Sequence, residues 1–281
     1  MLAVACGQGA HSTVPTAPAA PAVRVVPAAP AATVEAQPSE PPAPLACIVR
    51  YYVGTARRDG VRWSLVLPDG QSIPYDDGRA KSLEERFESP DVRDIYELTY
   101  PTGSIRPVTE VDFDPGRIRI DSLFFATYGK SAKDVERQLV PVKLGGKVFV
   151  VHARIAEPLR RVAARIARAT KTDPSLARFF ESPGGTFNWR RIQGSDTLSM
   201  HSWAIAIDLD TKRASYWLHE RRDRPLAWKN QYPQAIVDAF EAEGFVWGGR
   251  WYHFDTMHFE YRPELLDRSC YPASEKVTGG S

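Results

Sequence analysis

Hydrophobic and polar positions along this chain switch between two periods, and the switches mark its elements. Ile48-Val49-Arg50-Tyr51-Tyr52-Val53 is a short β-branched and aromatic run, and Val61-Arg62-Trp63-Ser64-Leu65-Val66-Leu67 alternates with period two before a turn at Asp69-Gly70. Both patterns predict strands, so a small β-rich unit over residues 45–112. Within it, Ser82-Leu83-Glu84-Glu85 has capping-box spacing and predicts a short helix closed by Ser89-Pro90. Further on, residues 132–139 read as helix, and Val148-Phe149-Val150-Val151 reads as a strand after Gly145-Gly146. The clearest helix follows: Ile155, Leu159, Val162 and Ile166 recur at helical spacing, with Pro158 in the first turn and Arg160, Arg161 and Arg165 turned to solvent. Asp173-Pro174 opens a short helix to Phe180, and Pro233 opens another to Ala242 that stops at Gly244.

Between these helices lie two strand-like islands with unusual polar content. Across Trp203 to Leu209, Ala204, Ala206 and Asp208 share one face, while Ile205, Ile207 and Leu209 share the other. Asp208 therefore sits beside small residues that leave space. In the second island His258 and Glu260 share a face, with Phe259 and Tyr261 turned toward the core. His201 stands seven positions before Asp208, an odd offset, so the two converge only if the chain kinks near Ser202. The expected fold is α+β, a small antiparallel sheet with flanking helices over residues 113–275, with a short disordered tail at 276–281.

Composition adds the front of the chain. Residues 1–44 hold 9 of the 23 prolines, many alanines and only Arg24, Glu35 and Glu40 as charges, a makeup that predicts a disordered linker. Leu2-Ala3-Val4-Ala5-Cys6-Gly7 is similar to the end of a bacterial lipoprotein signal peptide, which makes Cys6 a lipidation candidate if the start is truncated; an Ala-rich tail also yields such a string by chance. A net charge of +2 is too mild for nucleic acid, and no apolar run is long enough to span a membrane, so a lipid on Cys6 is the expected membrane contact. Cys47 and Cys270 then remain as an even pair, able to form a disulfide in an oxidising compartment or to stay as two buried thiols.

The chemistry concentrates in the islands. Two imidazoles and a carboxylate, His201, Asp208 and His258, leave one position of a tetrahedral zinc open, as catalytic zinc sites do. Asp255, three residues before His258, is then free to handle protons. Glu260 is a candidate partner for a histidine ring N–H, or simply a salt-bridge member. Of Arg190 and Arg191, one is expected to hold a substrate carboxylate or an oxyanion. Trp247, Trp251, Tyr252 and Phe254 crowd the second island as core, with Trp251 or Tyr252 as the candidates to line a groove. His152, His219 and His253 have no companion at ligand spacing.

At these residues the chain resembles the zinc-dependent D-alanyl-D-alanine carboxypeptidase and L-alanyl-D-glutamate peptidase family, which cleaves bacterial cell-wall peptides and shares its fold with the hedgehog signalling domain. The family pattern Ser-x-His-x-x-Gly-x-Ala-x-Asp fits Ser199, His201, Ala206 and Asp208, and its acidic-x-x-His fits Asp255 and His258. The resemblance implies one zinc ion on His201, Asp208 and His258, with Asp255 as general base. It further implies Arg190 as the clamp, in Asn188-Trp189-Arg190, with Ser199 and Trp251 beside the substrate. Aspartate at the base position, with His-Phe-Glu after it, points to the endopeptidase branch acting on peptidoglycan stem peptides. A carboxypeptidase on the same polymer and a non-catalytic cell-wall-binding lipoprotein with a relic site are the rivals. An envelope location follows, periplasmic or at the outer surface. Ala204 stands where the family has Gly, which is tolerable where φ is negative.

Overall fold

A computed structural model describes residues 40–192, 195–220 and 225–272. Cys6, residues 1–39 of the Pro/Ala-rich linker and the tail at 276–281 lie outside these residues, while Ala43 and Pro44, expected in the disordered linker, are helical. The first described element is helix α1, Ala43–Tyr51, where the sequence pattern predicts a strand from Ile48. Its entry is preset by Pro42 and Pro44, and Leu45, Cys47 and Ile48 bury one side of it. A short apolar run does not by itself distinguish helix from strand, and the prolines decide this one. Cys47 on this helix is joined by a disulfide to Cys270, 223 residues away.

The strands β1 (Thr55–Asp59), β2 (Arg62–Val66) and β3 (Ser72–Pro74) then form an antiparallel sheet in that order. Strand β1 is too polar to show in the hydrophobic pattern. Helix α2, Leu83–Glu88, has the reciprocal capping box expected from its sequence, with both Ser82 and Glu85 side chains engaged.

The middle of the chain carries α3 (Asp121–Tyr128), α4 (Ala132–Glu136) and a hairpin of β4 (Leu139–Leu144) and β5 (Lys147–His152). Gly145 and Gly146 turn it with φ of 55° and 81°, values that L side chains resist. Helix α5 runs from Ala153 to Thr172. Pro158 thus lies in its interior and not in its first turn: His152 is the N-cap, its Nδ1 accepting the Arg154 N–H at 3.1 Å, and a histidine cap leaves no usual sequence signature. Ile155, Leu159, Val162 and Ile166 are buried as the spacing requires, each worth about 1.5–3 kcal/mol. Arg161 and Arg165 are exposed, as the spacing predicts, and both also pair with Glu243.

The second sheet carries the two islands. It has the antiparallel order β6-β7-β9-β8, with β6 Pro183–Gly185, β7 Ala206–Asp210, β8 Phe245–Trp247 and β9 His258–Tyr261. Register sets Asp208 directly opposite His258 and Ala206 opposite Glu260. The reverse faces bury Ile207, Leu209 and Phe259, and Phe259 stacks at 4.1 Å on Phe240 of helix α6, Gln234–Glu241. A short helix α7, Pro263–Leu266, follows β9. The observed class is therefore α+β with small antiparallel sheets. One hydrophobic cluster joins Leu45 and Ile48 at the front to Ile207, Phe259 and Cys270 at the back.

Candidate metal centre

The kink needed to bring His201 beside Asp208 is a single 3-10 turn, Met200–Trp203. Ser199 caps it, its hydroxyl accepting the His201 N–H, and Ala204 closes it with φ of 53° and ψ of 34°. This is the left-handed region that favours glycine: the condition for an easily tolerated alanine, a φ that is not positive, is not met, and the methyl-bearing residue accepts a strain of about 1–2 kcal/mol. Ser202 ties the preceding segment to the turn, accepting the Arg190 N–H and donating to the Arg190 carbonyl, each at 3.0 Å.

Three side chains converge here. His201 Nε2 lies 3.2 Å from Asp208 Oδ2 and 3.3 Å from His258 Nδ1, and His258 Nδ1 lies 3.0 Å from Asp208 Oδ1. The far nitrogens are engaged elsewhere. His201 Nδ1 faces the Thr186 carbonyl at 3.1 Å, and His258 Nε2 faces Glu260 Oε2 at 3.1 Å. A ring N–H donated outward leaves the inward nitrogen as a lone pair, the arrangement seen when an imidazole binds a metal. His201, Asp208 and His258 thus form a group able to hold a metal ion. Gly184 is required beside them, because a Cβ there would lie 2.8 Å from the Cβ of Asp208.

Glu260 continues inward along the same face of β9. Its other oxygen takes Arg262 Nη1 at 3.4 Å, Arg262 Nε donates to Glu264 at 2.6 Å, and Tyr52 donates to Glu264 at 2.7 Å. This buried relay of alternating charge runs from the imidazole to the end of α1. Burial alone would push the Glu260 carboxyl up, but the His258 bond and the Arg262 and Arg119 charges hold it at about 2. Burial would likewise push His258 down; its bonds to Asp208 and Glu260 instead raise it to about 10 without an ion present.

Asp255 occupies the loop before β9. Its N–H donates to the Gly248 carbonyl at 3.0 Å, and its carbonyl accepts the His258 N–H at 3.2 Å. Glycine is needed at 248, since a Cβ would fall 2.4 Å from the Asp255 carbonyl oxygen. Asp255 Oδ1 is out of solvent contact and has no hydrogen-bond partner among the described residues. Burial, reinforced by the Asp208 charge and opposed by the His258 charge, raises the carboxyl to about 6.

These groups open into a cleft of about 710 Å³ whose wall also includes Arg190, Ser199 and Trp251. Arg190 is half-buried at most, its Nη1 reaching only the Arg191 carbonyl at 3.4 Å, while Arg191 turns away to Asp196. Trp251 donates to the Pro115 carbonyl and sets its ring 5.7 Å from the His258 ring. Tyr252, the other groove candidate, is buried with its hydroxyl accepting the Leu226 N–H. His253, read as having no companion, holds Asp114 Oδ2 at 2.5 Å across a separation no local spacing reveals.

Arg117, Arg119, Tyr216 and Trp217 also line the wall, and the sequence reading does not single them out. The alternation Arg117-Ile118-Arg119-Ile120 was the available signal for two of them, with Ile118 and Ile120 buried. Tyr216 and Trp217 carry none, because their approach depends on the pairing of Tyr216 with Asp255.

A His-Asp-His group drawn from one 3-10 turn and two adjacent antiparallel strands, facing a cleft beside a carboxylate with an unpartnered oxygen, is a hydrolase type of centre. The particular relationship is that residues 193–261 match the family described as D-alanyl-D-alanine carboxypeptidase. The matched stretch includes His201, Asp208, Asp255 and His258 but begins after Arg190. No curated protein and no solved structure matches the chain.

Proposed function

We propose that this chain is a zinc-dependent peptidase that hydrolyses the stem peptides of bacterial peptidoglycan, as an endopeptidase of the L-alanyl-D-glutamate type. The observation that carries the reading is the convergence of His201, Asp208 and His258 with the unpartnered Asp255 oxygen at one cleft. Donor separations of 3.0–3.3 Å suit zinc, since ligands about 2.0–2.2 Å from a tetrahedral ion stand roughly 3.3 Å apart. The donor chemistry fits as well: two nitrogens and one carboxylate oxygen, with both imidazoles oriented from behind.

Zinc in this position supplies Lewis acidity toward a scissile carbonyl and acidifies solvent water. The chain's own residues do the rest. The Asp255 carboxylate, raised toward neutrality by burial, takes a proton from water and returns it to the departing amine. Glu260 and the Thr186 carbonyl hold the two imidazoles in one tautomer and orientation. Arg190, whose guanidinium has one weak internal contact, offers its remaining N–H groups to charge developing on the substrate.

Carboxypeptidase action on a terminal D-alanine is the second reading, favoured by the description of the matched family. Incubating sacculi or purified muropeptides with the protein and weighing the released fragments separates the two by product mass. Metal content is measured alongside, for the native chain and for Asp255→Ala. An Asp255→Ala variant that binds zinc and still cleaves eliminates Asp255 as the base. Retention on sacculi with no fragment released favours a wall-binding protein. The Cys47–Cys270 disulfide supports an oxidising envelope compartment, and a lipid on Cys6 would serve as the tether.

A further inference from the structure

Arg119 is the least explained charge in the molecule. It is 9% exposed, its Nη2 donates to the Leu198 carbonyl at 3.0 Å, and its Nε has no hydrogen-bond partner among the described residues. Arg117, two residues earlier on the same side of the chain, lays its guanidinium 5.2 Å over the Trp251 ring. The far neighbour of that ring is His258, 5.7 Å away. Neither arginine has a carboxylate within ion-pair distance among the described residues. Glu260 is the carboxylate with most influence on Arg119, and it is already engaged by His258 and Arg262.

Both arginines line the cleft of the metal centre and also a recess of about 500 Å³ lined in addition by Ser72, Pro74, Phe87 and Asp121. Two neighbouring cations, one of them withdrawn from water, are costly unless an anion completes them. Arginine offers a planar pair of donors matched to a carboxylate. A peptide in which D-glutamate is linked through its γ-carboxyl keeps the α-carboxylate free, one residue from the bond after L-alanine.

On the basis of the peptidase reading above, we infer that Arg117 and Arg119 form an anion subsite that binds a free carboxylate of the substrate beside the scissile bond, and so determine specificity. Charge-assisted pairs of this kind discriminate by about tenfold or more between a carboxylate and its neutral isostere. Asp121, whose Oδ1 is also buried without a partner, lines the same recess, and its charge bears on Arg119 after that of Glu260.

The test uses two forms of one peptide, with the D-glutamyl α-carboxyl either free or amidated, and compares the zinc-loaded chain with Arg117→Gln and Arg119→Gln. Binding is measured by calorimetry in an Asp255→Asn background, and cleavage is measured with Asp255 intact. The free acid should bind about tenfold tighter than the amide, and either substitution should bring the two within about twofold. With Asp255 present, Arg117→Gln should raise KM for the free acid while kcat and zinc content stay near those of the native chain. Arg117 is partly exposed and its substitution leaves the core intact, so a folding failure of Arg119→Gln does not remove the test. Equal binding of the two forms, no binding of either, or an equal loss for both on substitution overturns the subsite. Discrimination without cleavage retains the subsite and sinks the peptidase reading; cleavage without discrimination does the reverse.

Discussion

Asp255→Asn should make the metal-free protein more stable while abolishing hydrolysis. The substitution keeps shape and removes only the charge that burial disfavours. An ordinary aspartate titrates near 3.8 and Asp255 near 6, so the native state holds its proton over that interval while the unfolded chain has lost it. The sign follows: with more protons bound in the native state, stability falls as pH rises from about 4 to about 6, and the loss is complete above that range. A difference of about two pH units corresponds to roughly 3 kcal/mol at neutral pH. Because Asp255 is half-buried as a residue, with only Oδ1 fully enclosed, solvent screening trims this to about 2 kcal/mol. Urea unfolding of chelator-treated protein, disulfide intact, should show Asn over Asp by about 2 kcal/mol at pH 7 and by about 1 kcal/mol or less near pH 4.5. With zinc restored the gap should narrow, since the cation compensates the carboxylate. A gap independent of pH, or a variant less stable at pH 7, refutes the account of Asp255 as a carboxylate strained by its surroundings. Hydrolysis should fall by about 10²–10⁴-fold in the same variant.

Glu260→Gln should lower zinc affinity by about 10–100-fold, read by competition with a chromophoric chelator, because His258 Nε2 loses its charged acceptor. It should also destabilise the fold by about 3 kcal/mol or more in urea unfolding, since Arg262 loses one of its two carboxylates. At position 204 the relief of a positive φ by glycine is offset by the lost buried methyl, so Ala204→Gly should fall within about 1 kcal/mol of native. Ala204→Val should cost more than about 2 kcal/mol, and equal effects of the two would rule out strain at this turn. Gly248→Ala should cut hydrolysis by more than about tenfold at nearly unchanged zinc content, by displacing the Asp255 loop and not the ligands. Reduction of Cys47–Cys270 should cost up to about 5 kcal/mol given the length of chain enclosed, measured as a shift of the thermal midpoint.

The site was more legible than the frame around it. His201, Asp208, Asp255 and His258 were visible because strand alternation assigns faces from sequence alone, and because an odd offset demands a kink, which the Met200–Trp203 turn supplies. What alternation leaves open is everything settled by distant partners. The run at Ile48 is strand-like in composition, yet two prolines and a disulfide partner at the far end of the chain make it helix. His253 looked solitary because Asp114 is 139 residues away, and the surroundings of Arg117 and Arg119 depend on Trp251 and the Leu198 carbonyl, which are likewise remote in sequence. Pro158 was misplaced for a local reason, the rarity of histidine as a helix cap.

The relay from His258 through Glu260, Arg262 and Glu264 ends on the Tyr52 hydroxyl, and that hydroxyl belongs to the opening segment of the folded chain. The orientation of one imidazole is therefore underwritten by residues that carry no chemistry of their own. Trimming the protein back to its motif-bearing portion would strip the last proton donor from that line, leaving an acid and a guanidinium enclosed with unmet valence directly behind the reactive centre.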